Sequence, residues 1–386
     1  MTPVLAVFID ALKPESVEHM EFLNSFENKA RVKTELPSYS NTCHASMYTG
    51  VYPEKHKHFF IWKYSPNSSP FKVFSRLKLH KFVHDIRIKY LLYALRCKLR
   101  FGIVPYGYLF FAKHPLNYWA NFDFEMVRFW GRPDMYVGKY PTIFKILDKA
   151  GVEYQVIWRP KGSLSRIKVK NPPAPLTYIF IGHMDPVSHT YGQESSEARE
   201  MLKQIDTVLK NKYLKFEKIY GDKFFFLVFS DHGQTEIKER VDLYSYFKSK
   251  GRSLNDYLHF IDSCYARFWF RDENERREIE GVLSKLGDKG FILTDDILER
   301  YHAKMPKNEY GDLIFYLEPP YVFDVVNPKA VSMHGYLPRH LDMEGICVAN
   351  RKIKGSYIKL EDIAPSILQA FDLEIPDYMD GEPIWK

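Results

Sequence analysis

Short apolar runs alternate along this chain with longer stretches whose apolar positions recur every three or four residues. Val4–Ile9, Leu176–Ile181 and Phe224–Phe229 are near-continuous apolar runs of strand length, and Ile346–Ala349 is a fourth. Runs of this kind suit strands covered on both faces. Between them, Thr142–Ala150 (stopped by Gly151), Ser195–Lys215 and Leu360–Phe371 read as helices. The alternation predicts an α/β fold, a mostly parallel sheet flanked by helices. In such sheets ligands bind beyond the carboxyl ends of the strands. Two of the predicted strands end in acids: Asp10 follows Ile9, and Ser230-Asp231 follows Phe229.

Two stretches interrupt the alternation. Residues 57–130 are basic and aromatic. Residues 238–330 read as an inserted α+β cap, with a strand over Cys264–Phe270 and a helix over Glu273–Leu286. The expected core is therefore discontinuous: residues 1–56, 131–237 and 331–386. No internal repeat is present.

Charge sharpens this division. The net charge is +7, but the stretch from Lys55 to Arg100 holds twelve Lys/Arg and a single acid, Asp85, and so contributes +11. The remainder is about four units negative, so the overall basicity is no argument for nucleic-acid binding. Tyr90, Leu91, Leu92, Leu95 and Leu99, interleaved with Arg and Lys, make an amphipathic helix. Residues 72–112 are thus a candidate membrane-surface or lipid-like substrate contact, with a cap helix packed on the core as the equal alternative. His80 and His84 have helical spacing but no third ligand near them in sequence. The longest apolar stretch, Tyr90–Ala112, is broken by Arg96, Lys98 and Arg100, short of the ~20 residues that span a bilayer. Met1–Asp10 lacks a basic n-region and a cleavage site, so no signal peptide is expected. Cys43, Cys97, Cys264 and Cys347 show no CxxC spacing and read as isolated thiols. The expectation is a soluble cytoplasmic protein.

Four distant segments are dense in Asp and His: Phe8-Ile9-Asp10, Asp185-Pro186-Val187-Ser188-His189, Ser230-Asp231-His232-Gly233 and Met333-His334-Gly335-Tyr336. Taken singly each is ordinary, since an acid at a strand end often caps a helix and Asp-His-Gly is good turn chemistry. Together they offer three carboxylates and three imidazoles, a mixed O/N set suited to Zn²⁺, Mn²⁺ or Fe²⁺ rather than Ca²⁺.

A fifth segment, Pro37-Ser38-Tyr39-Ser40 followed by Thr49-Gly50-Val51-Tyr52-Pro53, resembles the nucleophile segment of the alkaline phosphatase superfamily. Its nearest likeness is to the type I phosphodiesterase/nucleotide pyrophosphatase branch. The Asp/His segments follow in family order, and Ile363–Leu368 with Ile375-Pro376 and Met379-Asp380-Gly381 resembles the family's closing helix and loop. The resemblance implies Ser40 as nucleophile and two divalent metals, zinc first with manganese or iron possible. One metal would be held by Asp185, His189 and His334. The other would be held by Asp10, Asp231, His232 and the Ser40 oxygen. It implies hydrolysis of small phosphate esters, phosphodiesters or pyrophosphates above all, through a phosphoserine that water then cleaves. A phosphomonoesterase, phosphonate hydrolase or sulfatase of the same superfamily, or a non-catalytic metal-binding member, are the alternatives.

Two departures qualify the likeness. The glycine and asparagine that follow the nucleophile segment in nucleotide pyrophosphatases are missing from Pro53–Ile61, which leaves Asn41, Lys55 and Lys57 as candidate phosphate contacts. Cys43 is out of register with the sulfatase cysteine, whose position is Ser40 here. His44, His183 and His340 lie near the site segments and are further candidates for substrate phosphate.

Overall fold

The structure is a computed structural model that describes residues 2–126, 135–159 and 161–385. Its centre is a seven-stranded sheet ordered Tyr357–Lys359, Asn28–Lys33, Gly345–Ala349, Phe225–Phe229, Val4–Ile9, Leu176–Ile181, Tyr154–Arg159. Val4–Ile9 runs parallel to both of its neighbours, and Tyr154–Arg159 extends the parallel set. The Gly345–Ala349 strand is antiparallel to Phe225–Phe229 and to Asn28–Lys33. The sheet is therefore mixed, and its parallel part carries the acids.

Burial explains why the central runs are continuously apolar. Along Val4–Ile9 every residue is buried, and successive side chains point to opposite faces. Val4, Ala6 and Phe8 enter one hydrophobic cluster with helices Ile143–Lys149 and Ile363–Ala370. Leu5, Val7 and Ile9 enter another, under helix Ser196–Tyr220. That helix runs five residues past the expected Lys215. Strands Asn28–Lys33 and Tyr154–Arg159 escape a hydrophobicity reading. The first buries only Ala30 and Val32, and the second is an edge strand with one fully buried residue, Ile157.

The two interrupting stretches do not stand apart. Within 238–330, Leu258–Asp262, Tyr265–Trp269, Leu313–Leu317 and Gly290–Ile292 form an antiparallel sheet. Aromatic residues of 57–126 pack directly on it: the rings of Phe110 and Phe260 lie 4.1 Å apart, and Phe122 meets Trp269. One continuous hydrophobic cluster spans both stretches. The expected boundary at 130/131 lies outside the described residues. Helix Ile86–Phe101 sits on the outer side of this body, with Tyr93, Cys97 and Phe101 turned inward. His80 lies in a short 3-10 turn, Leu79–Lys81, and His84 falls in the loop beyond it, so the two do not share a helix face. All four cysteines are buried free thiols. Among the described residues no helix is long and apolar enough to cross a membrane.

Candidate metal centre and nucleophile

Three parallel strands deliver their acids to one edge of the sheet. Asp10 follows Val4–Ile9, and Asp231 follows Phe225–Phe229. Asp185 sits in the first turn of helix Met184–Tyr191, just beyond Leu176–Ile181. His189 lies one turn further along that helix, with Nε2 3.2 Å from Asp185 Oδ1. His334 arrives from far along the chain. A two-stranded ribbon pairing Thr235 with Met333 and Glu236 with Ser332 places its ring flat against His232, with centroids 4.0 Å apart and planes at 11°.

The donors form two adjoining triads, Asp185–His189–His334 and Asp10–Asp231–His232; within each, the donor atoms lie within 4.8 Å of one another. Ser40 Oγ stands 3.2 Å from His232 Nε2, at the second triad. Ser40 opens helix Ser40–Thr49, which no side chain caps at its N-terminus. An uncapped helix N-terminus suits a phosphoryl oxygen.

The hydrogen bonding around these imidazoles fits divalent cations. His189 donates from Nδ1 to Ser332 O (2.8 Å), His232 to Gly233 O (3.1 Å) and His334 to Ser38 O (2.9 Å). Each Nδ1–H is thereby fixed on a carbonyl, leaving Nε2 as the bare lone pair facing the carboxylates, which is the tautomer a metal requires. Asp10 Oδ1 and Asp231 Oδ2 are buried with no hydrogen-bond partner among the described residues. Buried carboxylate oxygens left so are costly unless a cation meets them.

The electrostatics of the protein groups alone say the same. Burial, then the charges of Asp231 and Asp185, push the Asp10 carboxyl well above the usual range. Burial raises Asp231 to about 7. Burial would raise Asp185 too, but the neighbouring His189, His334 and His232 outweigh it and hold that carboxyl low. Burial lowers His232 to about 4 and drives His334 well down, so neither imidazole is readily charged. Burial would lower His189 as well, but Asp185 beside it outweighs this and raises the imidazole; crowded carboxylates faced by imidazole nitrogens suit a pair of divalent cations.

The other candidate contacts are variously engaged. Lys55 is held by Asp380 at 2.5 Å and donates to Tyr378 O, so its charge is matched by the C-terminal loop. Lys57 ends helix Pro53–His56 in the left-handed conformation (φ 61°), and its carbonyl accepts from Tyr310. Asn41 is buried beside Ser40, with its amide donating to Phe60 O and Glu125 O. His183 bonds Gly162 O, and His340 bonds Glu318. Of the three further histidines only His44 faces a donor set, with Nε2 3.8 Å from Asp231 Oδ2, and burial lowers it to about 3.

Two groups were not legible beforehand. Gln234 donates to Asp185 Oδ1 (2.7 Å) and accepts from Ser332 Oγ (2.5 Å), tying one triad to the ribbon that carries His334. Its place directly after Asp231-His232-Gly233 was the available signal. Tyr106, from the basic insertion, is 86% exposed, yet its phenol is raised by desolvation and then by the charges of Asp185 and Asp10.

The family description type I phosphodiesterase/nucleotide pyrophosphatase matches residues 4–337, which span all the donor segments. The chain belongs to that family. Among other type I phosphodiesterase/nucleotide pyrophosphatase proteins, it is 28% identical over 163 residues to human ectonucleotide pyrophosphatase/phosphodiesterase family member 7. That match takes in 38% of this chain but only 30% of the human protein. Human ectonucleotide pyrophosphatase/phosphodiesterase 5 superposes with a TM-score of 0.69 at 14% identity, covering 98% of this chain and 97% of that one. An inactive variant of the murine counterpart, in complex with AMP, gives a TM-score of 0.66 at 13% identity, covering 97% and 96%. These likenesses establish the alkaline phosphatase-like fold over 97% or more of this chain.

Proposed function

We propose that the chain hydrolyses phosphodiester or pyrophosphate bonds in small phosphate esters, using Ser40 as nucleophile beside two divalent metal ions, zinc by preference. The observation that carries this reading is Ser40 Oγ, 3.2 Å from His232 Nε2, at the edge of two triads of metal-type donors. Asp185, His189 and His334 would hold one ion, and Asp10, Asp231, His232 and Ser40 the other. When bound, such ions supply positive charge against the phosphoryl oxygens and lower the proton affinity of coordinated groups.

The protein's own part is positional. Strand ends and a buried helix fix Ser40 Oγ beside the donor triads, from where it can attack phosphorus. The Ser40 Oγ–P bond forms as the ester P–O bond breaks; the leaving oxygen takes the bonding pair and a solvent proton, while the serine proton passes to solvent. Water then cleaves the phosphoserine, restoring the hydroxyl and releasing the phosphorylated product. AMP in the murine neighbour supports nucleotides as one substrate group. With Lys55 engaged by Asp380, the phosphoryl oxygens would rest on the metals and the helix N-terminus. A cytoplasmic setting belongs to the proposal and is supported by four unpaired thiols; subcellular fractionation tests it.

Turnover of bis(p-nitrophenyl) phosphate, p-nitrophenyl phosphate and p-nitrophenyl sulfate should be fastest on the diester. Ser40→Ala should lower it by at least about a thousandfold with metal content unchanged by mass spectrometry. Full activity in that variant would refute the nucleophile, and preference for the sulfate would refute the substrate class.

A further inference from the structure

Helix Ile86–Phe101 is a fully specified element. The Asp85 side chain caps its start by accepting from the Arg87 and Ile88 amides, and Gly102, at φ 76°, closes its end. Tyr93, Cys97 and Phe101, at four-residue steps, anchor one face. The opposite face carries a second apolar row, Ile88, Leu91, Leu95 and Leu99, each at least half exposed. Steps of three and four residues put these side chains on one stripe. Single exposed apolar residues are ordinary, but a contiguous stripe marks an interaction surface. Phe82 adds to it just before the helix, 77% exposed.

The stripe is bordered by positive charge. On a helical wheel Arg87 and Lys98 flank one side, and Arg100 stands near the helix end. Lys89 and Arg96 are engaged with backbone carbonyls, whereas Arg87, Lys98 and Arg100 enter no ion pair among the described residues. Residues 72–112 hold nine Lys/Arg and one acid, Asp85, and that acid is used as a helix cap. We propose that this face docks on an anionic phospholipid bilayer, with the leucine row entering the acyl boundary and the basic flanks meeting the headgroup phosphates. Charge selects this occupant. A second copy would set like charges against each other, and a nucleic acid would have no use for the leucine row.

The helix is tied to the turn that follows it. Tyr93, on the helix's inner face, donates to Pro105 O (2.8 Å), and Trp62 Nε1 donates to Tyr106 O (2.6 Å). Gly107 follows at φ 110°, and a side chain there would strike the Trp62 indole. The turn bearing Tyr106 is therefore fixed both to the docking helix and to the aromatic body beneath it. The docking itself does not depend on which ester is cleaved.

The test is co-sedimentation of the full chain with phosphatidylcholine vesicles, with and without phosphatidylglycerol. Binding should require phosphatidylglycerol and weaken with salt. The double substitution Leu91→Glu/Leu95→Glu should lower bound protein by at least about tenfold, as should Arg87→Glu/Lys98→Glu. Both variants should retain wild-type melting and wild-type turnover of soluble bis(p-nitrophenyl) phosphate. Absence of binding to phosphatidylglycerol vesicles overturns the proposal. So does equal binding by the variants, or a wild-type dimer, seen by light scattering, that Leu91→Glu/Leu95→Glu splits while neither protein binds vesicles.

Discussion

At Gln234 a neutral amide does work that no charge could do as well. It donates to Asp185 Oδ1 and accepts from Ser332 Oγ, so it orients a metal-type carboxylate without competing for its charge. Partners of this kind are typically worth 10–100-fold in metal affinity. Gln234→Ala should therefore weaken zinc binding by about that factor in a competition titration while leaving Ser40 in place; unchanged affinity would remove the residue from this role. A second buried group sets a pH dependence away from the site. Glu35 and Glu361 lie together, both buried. Burial, then the charge of Glu361, raises Glu35, and burial raises Glu361 to about 7 against an ordinary 4.5. A carboxyl whose folded-state affinity for the proton is raised stabilises the fold fully below the unfolded value and loses that contribution as pH climbs through the folded one. Melting temperature should thus fall between about pH 5 and pH 8, and Glu361→Gln should flatten that decline. Parallel curves for the two proteins would assign the dependence to other groups.

At the level of elements, the candidate donors stand on rigid supports. Asp10 and Asp231 are fixed at strand ends. Ser40 opens a helix that is buried from Asn41 to Thr49. His334 depends on the ribbon between Thr235–Glu236 and Ser332–Met333, and on the residue that follows it. Gly335 adopts φ 104°, and a Cβ there would sit 2.4 Å from the Tyr39 ring. Gly335→Ala should cost about 2 kcal/mol or more in chemical denaturation, and zinc content should fall with it because His334 is the adjacent residue. A stable variant with full zinc content would show that the ribbon tolerates the strain. Gly233 is constrained differently: a side chain there would meet Asp342 O at 2.3 Å, so close backbone approach rather than φ demands glycine after Asp231-His232.

For the whole molecule, the donor cluster joins segments separated by more than three hundred residues, from Asp10 to His334. Cations bound there would cross-link the parallel strands to the ribbon below the cap. Removing them would leave Asp10, Asp185 and Asp231 facing one another with only imidazoles between. Chelation should therefore lower the melting temperature, and zinc should restore it. At a thousandfold excess over the dissociation constant the stabilisation is about 4 kcal/mol. A melting curve indifferent to chelator would mean that the cluster does not hold metal in the folded protein. The cap and the basic insertion share one aromatic core, so they should melt together rather than as independent units.

The central strands were legible because a parallel strand buried on both faces must be apolar at every position, as Val4–Ile9 and Leu176–Ile181 are. The candidate donors were legible because four distant segments are each dense in acids and imidazoles, two of them at strand ends, a combination that is uncommon only when taken together. The edge strand Tyr154–Arg159 and the half-polar Asn28–Lys33 were not, since their burial comes from neighbours the local pattern does not mention. Nor could the chain alone show that Gly345–Ala349 runs antiparallel, that Asp380 takes Lys55, that Gln234 holds Asp185, or that two interrupting stretches fuse into one aromatic body. Residue type and periodicity record which groups must be buried or charged. Which distant group meets them is decided by packing between segments far apart in sequence, and only the folded chain brings those together.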